Sequence, residues 1–401
     1  VTEAELLFNP FVPGFTDDPY PHYARLREAE PVHASPFGFW VLTQHDEVSA
    51  LLRSGLSVEQ DNLAPTPLRE MFEAATEGRL RNRESMLDRD PPDHTRLRKL
   101  VTKVFTPKAV NALEPQIVEL VDESLASIEK EGRADLIDAL AFPLPFAVIS
   151  RMLGMPPTDH TRLRELTGTL VRSIEPIQDP EVAVAIVDAE DELSEMTAEV
   201  IAWKRRNPAD DLLTALIAAE DDGDVLDDEE LVAQVVLLYV AGHETTVNLI
   251  GNGVLALLNT PDQLASLRAD PSRAANAVEE MLRYDSPVQM SRRITTAPYM
   301  IAGHEVPPGT FVIASLASAN RDKGYWGADA DEFRIDRENA RHHVSFGAGI
   351  HHCLGAALAR LEGRVAIERL VTRFEALRQD GDLEWNGRIN LRGLSRFPVA
   401  V

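Results

Sequence analysis

The stretch "HHVSFGAGIHHCLG", residues 342–355, contains the only cysteine of the chain, Cys353. His342 and His343 lie upstream of it, and His351 and His352 directly precede it. Four imidazoles around one thiol suggest zinc. A structural zinc site, however, favours knuckle spacings such as Cys-x2-Cys or His-x3–5-His. Here the close pairs are adjacent residues and no second cysteine exists. A buried, unreactive cysteine is the other plain reading. The surrounding residues point elsewhere. Gly347 and Gly349 let the backbone bend sharply and approach a flat ligand closely. A helix is predicted from about Leu354 to Phe374, which puts Cys353 where backbone N–H groups and the helix dipole favour thiolate.

The rest of the chain bounds the answer. Its 401 residues permit one large core, and we expect a single domain over 1–401, monomeric. A net charge of −25 argues against nonspecific nucleic-acid binding. One cysteine excludes an intramolecular disulfide and fits a reducing compartment. The first 24 residues hold no Lys or Arg and are interrupted by Pro10, Pro13 and Pro19, so they do not read as a secretory signal. No run approaches the ~18 apolar residues of a membrane span. A cytoplasmic protein with no membrane contact is expected.

Helical periodicity dominates. Helices are predicted over 17–30, after Gln44, over 93–105, 108–131 and 143–154, and from His160 to about Arg206 with a proline break near 176–180. Residues 228–260 carry no proline and are apolar on nearly every side in the middle, as in one long helix through a core. "FGFWVLTQ" (37–44), residues 298–318 and the C-terminus have strand character. The fold class is mainly α with a small β portion.

A thiolate held against a planar group by a glycine loop is what axial ligation of haem requires. Phe346, Gly347, Gly349, His351, Cys353, Leu354 and Gly355 form F-G-x-G-x-H-x-C-L-G, which resembles the cysteine loop of the cytochrome P450 family. Three further motifs occur in that family's order. "EEMLR" resembles its buried E-x-x-R pair, as Glu280 and Arg283. The family's third member, an Arg before Phe, is replaced by Glu332 before Phe333. Arg337 is assigned in its place, with Arg334 the alternative. "AGHETT" (241–246) resembles the acid–alcohol pair that guides protons to dioxygen, as Glu244 and Thr245. Thr245 can also bond back to the preceding turn, and a distortion is expected at Gly242. "DPPDHTRLRKLV" resembles the propionate-binding segment, as His94 and Arg98, with Arg293 and His351 as further donors.

The resemblance spans about Pro19 to the end and is nearest the soluble bacterial, actinobacterial-type members. It implies a P450-like fold whose long helix crosses the haem (haem b, iron protoporphyrin IX, with Cys353 as axial thiolate). It implies a monooxygenase that hydroxylates or epoxidises a lipophilic small molecule, such as a macrolide or other polyketide. By family position the substrate pocket takes Met86, Leu87, Leu237, Val240, Ala241, Val288, Gln289, Met290 and Leu394. O2 is a co-substrate, and a ferredoxin with its reductase supplies NAD(P)H-derived electrons, since one cysteine cannot hold a cluster. Arg96, Lys99, Lys103, Arg341 and Arg360 are expected on the docking face. The rival readings are a peroxide-driven or desaturating relative and a noncatalytic haem-binding protein. The acid–alcohol pair argues against both.

Overall fold

Proline and capping residues set many of the element boundaries. The computed structural model describes residues 8–65, 70, 73–76, 85–155, 160–177 and 179–401. Its helices, in chain order among these, are α1 (Tyr20–Ala29), α2 (His45–Arg53), α3 (Asp93–Val104), α4 (Pro107–Asn111), α5 (Glu114–Glu131), α6 (Pro143–Leu153), α7 (His160–Leu170) and α8 (Pro180–Arg206). They continue with α9 (Leu212–Ile217), α10 (Asp228–Asn259), α11 (Pro261–Ala269), α12 (Ala274–Tyr284), the short α13 (Leu316–Ala319) and α14 (Lys323–Trp326), and α15 (Ala356–Arg373). The helix expected over 108–131 is two helices. Thr106 caps α4 by accepting from the Ala109 N–H, and Pro115, which has no N–H to donate backwards, opens α5. Helix α10 runs unbroken for 32 residues, ~48 Å at 1.5 Å each, so the distortion expected at Gly242 does not interrupt it. Among the described residues no helix is long and apolar enough to cross a membrane.

The chain forms two compact units. One comprises Val1–Ser57, Pro115–Leu144 and Thr245–Val401; the other comprises Val58–Glu114 and Pro145–Glu244. The first unit holds the larger sheets. Strands β1 (Val32–Ala34) and β2 (Trp40–Leu42) form a hairpin. Strand β2 then runs parallel to β9 (Phe311–Ser315), which pairs antiparallel with β6 (Met290–Ile294). Leu42, Val48, Leu51, Leu52, Val312 and Val344 pack into a core beside this sheet. Strand β3 (Arg133–Asp135) pairs with β13 (Pro398–Ala400), which fixes the C-terminus. Both β1 and β3 lay outside the predicted strands: each has three residues, too few to carry a period. Helices α12 and α15 pack together, and Gly363 of α15 makes this possible. A Cβ there would lie 3.1 Å from Leu249 and 3.4 Å from Val278.

Among its described residues, the second unit's regular elements are helices and one hairpin. Helix α8 packs along α7 and α9, and α9 contacts α3. The carboxylate of Asp211 caps α9, accepting from the Thr214 N–H at 2.8 Å. The same carboxylate accepts from buried Lys204 Nζ at 2.6 Å, and Nζ also donates to the Gly154 carbonyl. Strands β4 (Glu220–Asp221) and β5 (Asp224–Val225) turn through Asp222 and Gly223, both at positive φ, as a tight hairpin demands.

Candidate active site

The cysteine loop belongs to the first unit, and its conformation follows from two glycines and a core anchor. Val344 and Ala348 are buried in the apolar core. Between and after them, Gly347 and Gly349 adopt φ of 67° and 71°, in the left-handed region. A Cβ on Gly349 would come within 2.6 Å of the Leu52 carbonyl oxygen, so no side chain fits. The Cys353 N–H donates to the Phe346 carbonyl at 2.8 Å and closes the loop. Cys353 is exposed, three residues before the first residue of α15. The composition alone allowed a silent core cysteine; the structure does not bury it.

Behind this loop, α12 carries two adjacent buried acids. Arg283 is fully buried and pairs with Glu280 through two 2.7 Å bonds. Its remaining donors reach the carbonyls of Asn320, Ala330 and Glu332 at 2.7–2.8 Å. All five guanidinium N–H groups are therefore used, which is the condition for burying such a charge. Arg337 brings its Nε to 3.2 Å from Glu280, whereas the Arg334 guanidinium turns out to Asp329 and Asp336. Only the Arg334 backbone N–H reaches Glu280.

Glu279 was not singled out by the sequence. Its carboxylate is 2% exposed and accepts from His343 Nε2 at 3.0 Å, Arg360 Nε at 2.8 Å and Arg341 Nε at 3.2 Å. Burial would raise its pKa, but the bonds from His343 and Arg360 win and hold it at about 2. Burial also lowers the pKa of His343. Its Nδ1 accepts the Ser345 N–H, so the single ring proton sits on Nε2 and faces Glu279. The only prior signal was the doubled acid beside Arg283, Glu279 directly before Glu280. Glu362 of α15 is another buried acid. Burial pushes its pKa up to about 8, and Oε2 has no hydrogen-bond partner.

Helix α10 presents one accessible line. Leu237, Val240, Ala241, Glu244 and Thr245 retain exposure, while Val236, Leu238, Tyr239, His243, Thr246 and Val247 are buried. The accessible positions follow i, i+3, i+4, i+7, i+8, which is one helix face. His243 instead packs edge-on against Phe146, with ring centroids 5.8 Å apart.

The other predicted residues divide by burial. In the first unit, Val288 and Met290 are half-buried. Gln289 is enclosed, donating to the Ser286 carbonyl at 2.7 Å, and Leu394 is buried in β12 (Leu394–Arg396). Arg293 on β6 is buried and donates to the Arg292 and Leu52 carbonyls. In the second unit, His94 is buried on α3 with Arg98 one turn on; burial first, then the Arg98 charge, lowers its pKa. Met86 is buried, its N–H donating to Gln234 Oε1, and Leu87 is exposed. The expected docking cations are all engaged. Arg96 pairs with Glu230, and Lys99 and Lys103 share Asp221 on the β4–β5 hairpin.

Known proteins supply an independent comparison. The family model described as "Cytochrome P450" matches residues 179–390. Cytochrome P450 107B1 of Saccharopolyspora erythraea is 43% identical, covering 97% of this chain and 96% of that protein. A vitamin D(3) 25-hydroxylase of Pseudonocardia autotrophica is 43% identical over 96% of this chain and 94% of its own length. The solved structure of PksS, the cytochrome P450 of the Bacillus subtilis bacillaene polyketide synthase, superposes with a TM-score of 0.88 at 35% identity. It covers 98% of this chain and 99% of PksS.

Proposed function

The chain belongs to the cytochrome P450 family of haem-thiolate monooxygenases, and from that premise we propose that Cys353 is its thiolate ligand. The observation that carries this is the exposed Cys353 on a loop of two left-handed glycines ahead of α15. The donor set suits the group: one thiol for a metal, and two carboxylate-binding cations for a dianionic porphyrin. Thiolate character is favoured by the N–H groups at the start of α15. By resemblance to the family, Arg98, Arg293, His94 and His351 would hold the propionates as N–H donors. Phe346, Gly347 and Gly355 shape the loop around the ligand. Glu280, Arg283 and Arg337 hold the chain behind it. Bound there, haem supplies dioxygen activation and oxygen insertion into a C–H or C=C bond.

The chain's own residues do the rest. Glu244 and Thr245 share the accessible face of α10. The carboxylate takes up a proton, and the Thr245 hydroxyl passes one on at Oγ. Leu237, Val240 and Ala241 on that face would orient an apolar substrate and exclude water; Met86, Leu87, Val288, Gln289, Met290 and Leu394 are assigned to the pocket by family position alone. A lipophilic small molecule is the substrate class, in keeping with the names of PksS and the vitamin D(3) hydroxylase, and the polyketide or macrolide kind follows the name of PksS alone. A ferredoxin and its reductase supply the electrons. The chain acts as one catalytic domain, a monomer in the cytoplasm.

The test is turnover of haem-loaded protein with NAD(P)H, ferredoxin and reductase against a lipophilic panel screened by low-to-high spin shift. The expected result is a product carrying one oxygen atom from labelled O2. Product formed with peroxide alone, and none with the ferredoxin system, would overturn this reading.

A further inference from the structure

Cys353 lies on the loop between His343 and Arg360, and both of those residues bond to one buried carboxylate. Glu279 accepts from His343, ten residues upstream of the cysteine, and from Arg360, seven residues downstream. Arg360 is bidentate, with Nε at 2.8 Å from Oε1 and Nη2 at 3.2 Å from Oε2. Arg341 adds a third strand to the clasp. The clasp also grips Phe346. The Arg360 guanidinium lies 4.5 Å from the centre of its ring, and the His343 ring 5.5 Å. The Phe346 carbonyl in turn takes the Cys353 N–H. A path therefore runs from Glu279 to the cysteine backbone: charge-assisted hydrogen bonds to His343 and Arg360, their contacts with the Phe346 ring, and the Cys353 N–H bond to the Phe346 carbonyl.

Adjacent residues on a helix point about 100° apart, so Glu279 and Glu280 enter different networks. Glu280, together with its partner Arg283, ties α12 to residues 320–337, ahead of the cysteine loop. Glu279 ties the two flanks of the loop to each other. A buried carboxylate with three donors is retained in the fold only while those donors stay in place.

Resting on the assignment of Cys353 as ligand, we infer that Glu279 is a positioning residue. Its anionic carboxylate clasps His343 and Arg360 across the cysteine loop and thereby holds Phe346 and the Cys353 backbone in the geometry that retains thiolate ligation. Glu279→Gln keeps the shape but weakens the attraction to Arg360. Arg360→Gln removes the half-exposed arm, and this variant folds even if loss of the buried charge does not permit folding.

The experiment uses haem-loaded, ferrous, CO-bound protein. It reads the rate at which the far-red-shifted thiolate band converts to the ordinary haem-protein band, and the reduction potential in parallel. Glu279→Gln should convert on the order of tenfold faster than wild type, the scale of one lost charge-assisted hydrogen bond. Arg360→Gln should also convert faster, and Glu279→Asp should fall between Glu279→Gln and wild type. The potentials should move oppositely, up for Glu279→Gln and down for Arg360→Gln, because one removes an anion and the other a cation. Lys204→Met, which leaves Asp211 unpaired in the other unit, is the control for general destabilisation and should not speed conversion at matched temperature below its Tm. Unchanged conversion in folded Glu279→Gln and Arg360→Gln, or equal acceleration in Lys204→Met, would overturn the positioning role. A wild-type protein with no thiolate band would instead remove the ligand assignment, and this inference with it.

Discussion

Glu280 and Arg283 make the sharpest case at the scale of single residues. With Glu280→Gln the fully buried guanidinium of Arg283 loses its counter-ion, a change that costs about 3–5 kcal/mol. Denaturant unfolding of purified protein should read that loss; a difference below about 1 kcal/mol, the level of an exposed pair, would contradict the geometry. Glu362 predicts a pH effect. Its folded pKa of about 8 lies above the ordinary 4.5, so the folded state holds the proton more tightly than the unfolded one. The stability linked to that proton is complete below about pH 4.5 and is lost as pH rises towards about 8. Glu362→Gln should match wild type in Tm at pH 5 and exceed it at pH 8.5; parallel Tm–pH curves would refute this. For Thr245→Ala the expectation is continued NAD(P)H consumption with peroxide released and product lost. Undiminished product would separate Thr245 from proton delivery.

At the scale of elements, long helices were legible because period, caps and prolines agree along them. Helix α10 was read to within a residue of its end because nothing in 228–260 breaks it. The three-residue strands β1 and β3 were not legible, since β3 finds its partner more than 260 residues away. The same limit hid the clasp: Glu279, His343 and Arg360 lie far apart in sequence and meet only when α12 and α15 pack. The β4–β5 hairpin was also unforeseen, and it changes the expectation for the docking face. Asp221 neutralises part of the charge of Lys99 and Lys103. Double reversal to Glu at 99 and 103 should slow reduction by ferredoxin and leave dithionite reduction intact. Asp221→Asn should speed the ferredoxin step at low salt. Equal ferredoxin rates in all three proteins would take this element out of docking.

At the scale of the molecule, the cysteine-loop motif was readable because its spacing is dense: seven fixed positions within ten residues. The residues expected in the pocket differ in burial, Gln289 enclosed and Leu87 exposed, because burial depends on long-range packing that no local motif encodes. Three of the four histidines near Cys353 take different partners once folded. His343 is bound to Glu279, His342 meets Tyr325, and His352 stands near Phe346. Among the described residues no cluster of three or more metal-ligating side chains forms. The account rests on one bond, from Cys353 to haem iron. The most direct measurement is the absorption spectrum of the folded, haem-loaded protein after dithionite reduction under carbon monoxide. The account predicts a Soret band shifted far to the red, the signature of a thiolate opposite carbon monoxide. A band at the position of histidine-ligated haem proteins would contradict it.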